Sequence, residues 1–183
     1  MPLRIPTSRR ALLNLGLAAA VSQLSACGAI QGAKNLAKAA IFPTVENLRI
    51  TTQAQAVTNA DDRGDALPVT VRIYLLSESN QILQSSYAEL LERDKQALGT
   101  SLVQRYEYVA YPQSSSVQEF PVRPETRFIA VMAVMRRTPA PSYYLLDAQH
   151  IGTGGIALSV DAQALRMTTG PDPLNKGGQA AGS

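Results

Sequence analysis

Cysteine is almost absent from this chain: Cys27 is the one thiol in 183 residues. A lone thiol closes no internal disulfide, so a cystine-stapled scaffold is excluded. Histidine is as scarce, at His150 alone. A zinc site takes three or four His, Cys or acidic ligands at set spacing, and the sequence has no such cluster. Long apolar runs are missing too. The stretch from Ala11 to Leu24 is short of the about 20 residues a membrane span needs, and Asn14, Ser22 and Gln23 interrupt it. Acidic residues are absent before position 27, where Arg4, Arg9 and Arg10 sit. Those three arginines account for the whole excess of 17 basic over 14 acidic residues. The remainder of the chain is formally neutral, which excludes the broad basic footprint of a nucleic-acid-binding protein.

What is present at the N-terminus is an export leader. Residues 1–26 have a basic n-region, a short apolar h-region and small residues at the cleavage site. Leu24-Ser25-Ala26-Cys27 is a lipobox, which makes Cys27 the lipidated first residue of the mature protein. The expected group is a covalent N-acyl and diacylglyceryl lipid, with no other cofactor. One acyl chain binds a bilayer marginally, at about 0.8 kcal/mol per buried methylene, whereas two or more anchor it stably. Gly28 follows the cysteine, and a residue other than Asp there favours the outer membrane. Ser8-Arg9-Arg10-Ala11-Leu12-Leu13 resembles a twin-arginine signal, so the Sec and twin-arginine routes both stay open.

Beyond the leader the chain is long enough for one domain. Residues 27–44 read as a lipid-anchored tether, helical or flexible, that Pro43 ends. Residues 45–169 read as a β-sandwich domain. Residues 170–183 are Gly, Pro, Ala and polar residues, expected as a disordered tail. Within 45–169 the hydrophobic period is two. Val69, Val71, Ile73 and Leu75 alternate with Thr70, Arg72 and Tyr74, a half-buried strand. Similar segments start at Leu48, cover Tyr106 to Ala110, end at Val122, and recur at Tyr143–Leu146, Ile156–Val160 and Leu165–Met167. Phe128 to Met135 is apolar on both faces, as a central strand packed on both sides is. About eight short strands between Pro, Gly and Ser clusters indicate an all-β, two-sheet sandwich. One helical insert is expected at about 85–98, after the second strand. Ser86 and Glu89 form its capping box and Gly99 its stop. It is expected to cover an edge or end of the sandwich.

Catalytic patterns are weak. Asp147 with His150 lacks a Gly-x-Ser-x-Gly elbow, so a loop histidine is the simpler reading. Glu89, Glu92 and Asp94 read as the solvated face of a helix. Gly152-Thr153-Gly154-Gly155 has no Lys and no following helix, and reads as a turn. Arg136-Arg137 opens a Pro-rich turn and carries little signal. No enzyme is expected. The nine residues from Thr58 to Ala66 are more informative, being longer and more charged than a hairpin needs. They read either as a solvated turn or as a partner-binding loop on a rigid scaffold.

Taken together, these segments resemble the TssJ family, the outer-membrane lipoproteins of bacterial type VI secretion systems. The resemblance is carried by the lipobox, the Asn/Asp/Gly loop and Pro68-Val69-Thr70-Val71-Arg72-Ile73-Tyr74-Leu75. Tyr87-Ala88-Glu89-Leu90-Leu91, Leu98-Gly99 and Arg127 to Arg136 continue it. A Trp often found after that last strand is missing, with Tyr143 and Tyr144 nearby instead. The resemblance implies a transthyretin-like sandwich of two four-stranded sheets. It also implies a tethering role, in which the periplasmic C-terminal domain of TssM is held to the outer membrane and TssL is reached indirectly. The contact loop then maps to Asn59, Ala60, Asp61, Asp62, Arg63, Gly64, Asp65 and Ala66. The alternative is a ligand-binding lipoprotein with a pocket among Tyr106, Tyr108, Tyr143 and Tyr144, although such tyrosines are commonly cross-strand pairs. Cys27→Ser is expected to move the protein from the membrane to the soluble periplasmic fraction and to stop secretion; a variant that still sediments with membranes refutes lipid as the main attachment.

Overall fold

The structure, a computed structural model, describes residues 45–139 and 142–175. The leader, Cys27, the tether at 27–44 and residues 176–183 lie outside the described residues. Eight strands form where the two-residue period places them: β1 (Asn47–Ala54), β2 (Val69–Leu76), β3 (Leu102–Ala110), β4 (Ser115–Pro121), β5 (Phe128–Val134), β6 (Tyr144–Asp147), β7 (Ile156–Val160) and β8 (Leu165–Thr169). They build two four-stranded sheets, ordered β4-β1-β7-β8 and β3-β2-β5-β6. Every pairing is antiparallel except β1 with β7, which is parallel.

The inner faces of the two sheets supply the main core. Leu48, Ile50, Val71, Ile73, Ile129, Val131, Leu146, Leu158 and Val160 are all buried there. Each such aliphatic side chain contributes about 1.5–3 kcal/mol by leaving water. Gly155 is required by packing against this sheet. Its φ is +70°, and a Cβ there would lie 2.0 Å from the Arg49 carbonyl oxygen, so the glycine-rich stretch serves a close backbone approach.

Two helices, α1 (Asn80–Gln84) and α2 (Tyr87–Leu98), follow β2. The sequence places a helical insert over an edge or end of the sandwich, and the helices cover a face instead. They lie on the outer face of the β3-β2-β5-β6 sheet, where Ile82, Leu90 and Leu98 pack on Tyr74, Leu76, Ala130, Met132 and Leu145. This corrects the reading of β2 as half-buried: Tyr74 is wholly buried. It also gives the physical reason that β5 is apolar on both faces. The expected capping box forms, with the Glu89 N–H donating to Ser86 Oγ at 3.2 Å and the Ser86 N–H to Glu89 Oε2 at 3.0 Å. Gly99 ends the helix at φ +48°.

Polar groups lock this helix to the sheet. The β2–β3 register places Arg72 opposite Glu107 and Tyr74 opposite Arg105, a four-residue block on the outer face. Asp94, expected on a solvated face, instead is buried over that block. Its Oδ2 accepts from Arg105 Nη1 at 2.7 Å and lies 3.6 Å from Arg72 Nη1 and 3.2 Å from the Tyr74 hydroxyl. The helix breaks to allow this. Arg93 has non-helical dihedrals (φ −144°, ψ 42°), and the Lys95 N–H donates to Asp94 Oδ1 at 2.7 Å. On the other side of the break, Arg72 Nη1 donates to the carbonyls of Leu90 at 2.8 Å and Leu91 at 3.3 Å.

The C-terminal end departs from expectation as well. Leu174 and Asn175, expected as part of a disordered tail, bond to β6. The Leu174 N–H donates to the Leu145 carbonyl at 2.7 Å, and the Leu145 N–H donates to Asn175 Oδ1 at 2.8 Å. Those bonds occupy backbone groups on the open edge of a sheet, which otherwise invite foreign strands. The single leucine of the segment and the side-chain amide of Asn175 suffice because the edge itself supplies the partners.

Burial alone pushes the Asp94 carboxyl up, but the Arg105 hydrogen bond and charge, with the Lys95 N–H and Tyr74, outweigh it and hold it below the ordinary carboxylate range. A depressed carboxylate stabilises the fold above its unfolded pKa and loses that contribution as pH falls through its folded one. Asp94→Asn is therefore expected to cost about 2–3 kcal/mol in chemical denaturation at neutral pH. That is below the ~3–5 kcal/mol of a fully buried pair because Arg105 keeps contact with water. The gap between variant and parent is expected to close below about pH 4; a gap that persists in acid refutes the charge-based account.

Candidate functional site

The loops at one end of the sandwich meet around Asn59. This residue follows β1 in the left-handed region (φ 46°), which Asn tolerates better than most side chains. It is buried, and each of its polar groups reaches a different loop. Its N–H donates to the Asp161 carbonyl at 3.2 Å, in the β7–β8 turn. Its Oδ1 accepts from the Arg136 N–H at 2.8 Å, just after β5. Its Nδ2 donates to the Pro68 carbonyl at 3.3 Å, at the entry to β2. Thr58, also buried, closes the loop base through Oγ1 to the Leu67 carbonyl at 3.0 Å. Asn59 therefore positions the loop from inside.

The loop tip is a tight turn organised by Asp61. Its Oδ1 accepts the N–H of Arg63 at 2.8 Å and of Asp65 at 2.9 Å, while its carbonyl accepts the Gly64 N–H at 3.1 Å. Gly64 sits at φ +88° with open space around it, so its role is conformational. Ala60 and Ala66 are half-buried at the shoulders of the turn. What projects into water is Asp62, Arg63 and Asp65.

Opposite the loop stand Arg136 and Arg137. Their backbone is held from the helix side: the Met135 N–H donates to the Tyr87 hydroxyl at 3.0 Å, and that hydroxyl lies 3.1 Å from the Ala133 carbonyl. Arg136 Nη2 crosses to Asp62 Oδ2 at 3.0 Å. Between the loop, these arginines and the turn at Ala162 and Gln163 lies a cleft of about 480 Å³. The turn is itself braced by Asp161, which accepts the N–H groups of Gln163 at 3.0 Å and Ala164 at 2.8 Å and the Nε of Arg166 at 3.0 Å. Burial alone raises the Asp161 carboxyl, but these three donors outweigh it and hold it below its ordinary value. Arg136, Arg137, Ala162 and Gln163 were not singled out by sequence reasoning as site residues. An arginine pair before a Pro-rich turn has no signature of its own, and the turn partner is distant in the chain.

The other sequence candidates are dispersed. Tyr106, Tyr108 and Tyr144 pack on the inter-sheet core, whereas Tyr143 packs on the helix side of the other face. Tyr143 is thus in a different cluster from the other three. Tyr108 shares a hydrogen bond with Thr52, and burial pushes its phenol up to about 12 in spite of that bond. Tyr143 donates to the Ile82 carbonyl at 2.9 Å. His150 Nδ1 lies 3.5 Å from Asp147 Oδ2 on an exposed turn, and no serine hydroxyl among the described residues bonds to it.

These features define the class: an all-β sandwich of two four-stranded sheets, with helices inserted after its second strand and a polar loop-end cleft. The family model of the type VI secretion lipoproteins VasD, EvfM and TssJ matches residues 46–163, and the chain belongs to that family. Its members are structural lipoproteins, which gives the chain a membrane-anchored place in the cell envelope. The fold is similar to that of the T6SS lipoprotein TssJ1 from Pseudomonas aeruginosa, at 23% identity and a TM-score of 0.60, over 69% of this chain and 98% of that one. A chain of a structure described as a type VI membrane complex aligns at 19% identity and a TM-score of 0.62, over 68% of this chain and 99% of that one. A chain of the structure described as the T6SS protein TssM C-terminal domain from EAEC aligns at 18% identity and a TM-score of 0.59, over 68% and 99%. A search of curated protein sequences finds no match.

Asn59→Gly keeps the left-handed backbone and removes two side-chain bonds. It is expected to cost about 1–3 kcal/mol and to accelerate hydrogen exchange at the Arg136 amide, with exchange in the centre of β2 unchanged. Equal protection of Arg136 in variant and parent refutes the hub role.

Proposed function

We propose that this chain is the outer-membrane end of a mechanical link: lipid on Cys27 holds it in the membrane, and the β1–β2 loop binds the periplasmic C-terminal domain of TssM, with TssL reached only through TssM. The observation that carries the reading is the construction of the loop. A surface turn needs no brace, yet this one is fixed to two other loops through the buried Asn59 and to itself through Asp61. A loop held in one conformation loses little entropy when a partner docks, which is the general advantage of preorganisation. Family membership supports the secretion context and the lipid anchor. The similar structures, one of a type VI membrane complex and one of a TssM C-terminal domain, support this choice of partner.

Within this reading Asp62, Arg63 and Asp65 are the contact residues, and Asn59, Asp61 and Gly64 hold them in place. Ala60 and Ala66 flank the turn, half-buried. No chemistry is required of the site, and none of its groups is arranged as a nucleophile with a base.

Replacing residues 60–65 by a Gly-Ser linker of equal length is expected to abolish binding of the full-length protein, in detergent, to the purified periplasmic region of TssM. Melting temperature should change little, because the replaced residues lie outside both hydrophobic clusters. Unaltered affinity refutes the loop assignment.

A further inference from the structure

We propose that the loop-end cleft is a carboxylate clamp, in which Arg63 and Arg137 together receive an acidic side chain of the TssM segment that docks on the loop. This rests on the adaptor reading above and adds the second wall of the contact, which the sequence did not indicate. The first observation is the commitment of the anions. Of the carboxylates around the cleft, Asp61 holds the N–H groups of Arg63 and Asp65, Asp62 pairs with Arg136, and Asp161 holds its own turn and Arg166. Asp65 is exposed but does not line the cleft.

The second observation is the state of the cations. Arg63 and Arg137 line the cleft and are exposed, and the guanidinium of neither makes a hydrogen bond or ion pair among the described residues. One stands on the β1–β2 loop and the other just beyond β5, on the two walls of the hollow. The Asp62–Arg136 pair spans the same walls at 3.0 Å and sets their separation. Backbone amides do not cancel the Asp61 charge, but the lining itself, with Arg63, Arg136 and Arg137 against Asp61 and Asp62, keeps a net positive charge.

The third observation is the shape and lining. A cleft of about 480 Å³ lined by Arg, Asp, Asn and Gln residues together with Ala60, Gly64, Met135 and Ala162 admits side chains and not a domain core. Its lining lacks the predominantly apolar character of small-molecule pockets. Guanidinium groups present planar donor pairs that match a carboxylate in two-point fashion. Two of them on opposite walls select an acidic side chain entering from the open end.

The test uses full-length protein in detergent and the purified periplasmic region of TssM, titrated at about 0.05 M and about 0.5 M salt. The double variant Arg63→Glu, Arg137→Glu is expected to raise the Kd about tenfold or more at low salt, with the difference shrinking at high salt. Arg137→Glu alone is expected to fall between. Arg123→Glu makes the same charge change on an exposed residue at the opposite end of the sandwich and should bind like the parent. Parent-like affinity of the double variant overturns the clamp, as does equal weakening by Arg123→Glu. Loss of association with anionic phospholipid vesicles, with TssM binding intact, assigns the arginines to a lipid surface and also overturns it. If the Gly-Ser loop replacement abolishes binding while the double variant does not, the adaptor reading stands and the clamp falls. Absence of binding by the unaltered protein refutes both.

Discussion

Asp94 is a carboxylate buried beneath a helix and on top of a sheet, and much of the molecule is arranged around keeping it there. An isolated charge in that position costs several kcal/mol in lost hydration. Here Arg105, Arg72, Tyr74 and the Lys95 N–H meet it from β3, β2 and the helix itself. The register of β2 on β3 is what brings those donors together, since Arg72 faces Glu107 and Tyr74 faces Arg105 on the same side. A slip of one residue in either strand turns that strand's two members of the block toward the inter-sheet core. The network thus fixes the register, the break in α2 and the placement of the helices with one constraint.

The same constraint reaches the loop end. With α2 held on the sheet, Tyr87 at its first turn is brought to the end of β5, where its hydroxyl meets the Met135 N–H. From the other side Asn59 takes the next amide, that of Arg136. Two successive backbone groups are therefore gripped between the helix layer and the β1–β2 loop. The arginines beyond them stand on a rigid base, and the cleft is a consequence of the packed layers instead of a feature of any single loop.

Legibility in the sequence followed the range of the signal. Strand periodicity and the capping box are local: Val69 to Leu75, Ile156 to Val160 and the Ser86/Glu89 pair appear where the residue pattern puts them. The loop at 59–66 was visible from its length and charge. What could not be read was the partner of each polar residue. Asp94 looks like a solvated helix charge until β2 and β3 place two arginines under it. Asn59 looks like a turn former until three loops are seen to converge on it. Arg137 and Gln163 share a wall of one cleft, yet nothing in their neighbourhoods along the chain relates them.

The amino-acid order by itself determined the alternation that makes eight strands and the capped helix after the second, because each rests on side-chain types within a few residues of one another. Tertiary structure decided which face the helices cover, which acids are buried and paired, how Leu174 and Asn175 bond to the β6 edge, and which arginines line the loop-end cleft. Those outcomes depend on contacts between segments far apart in the chain, whose geometry exists only after the sheets have paired.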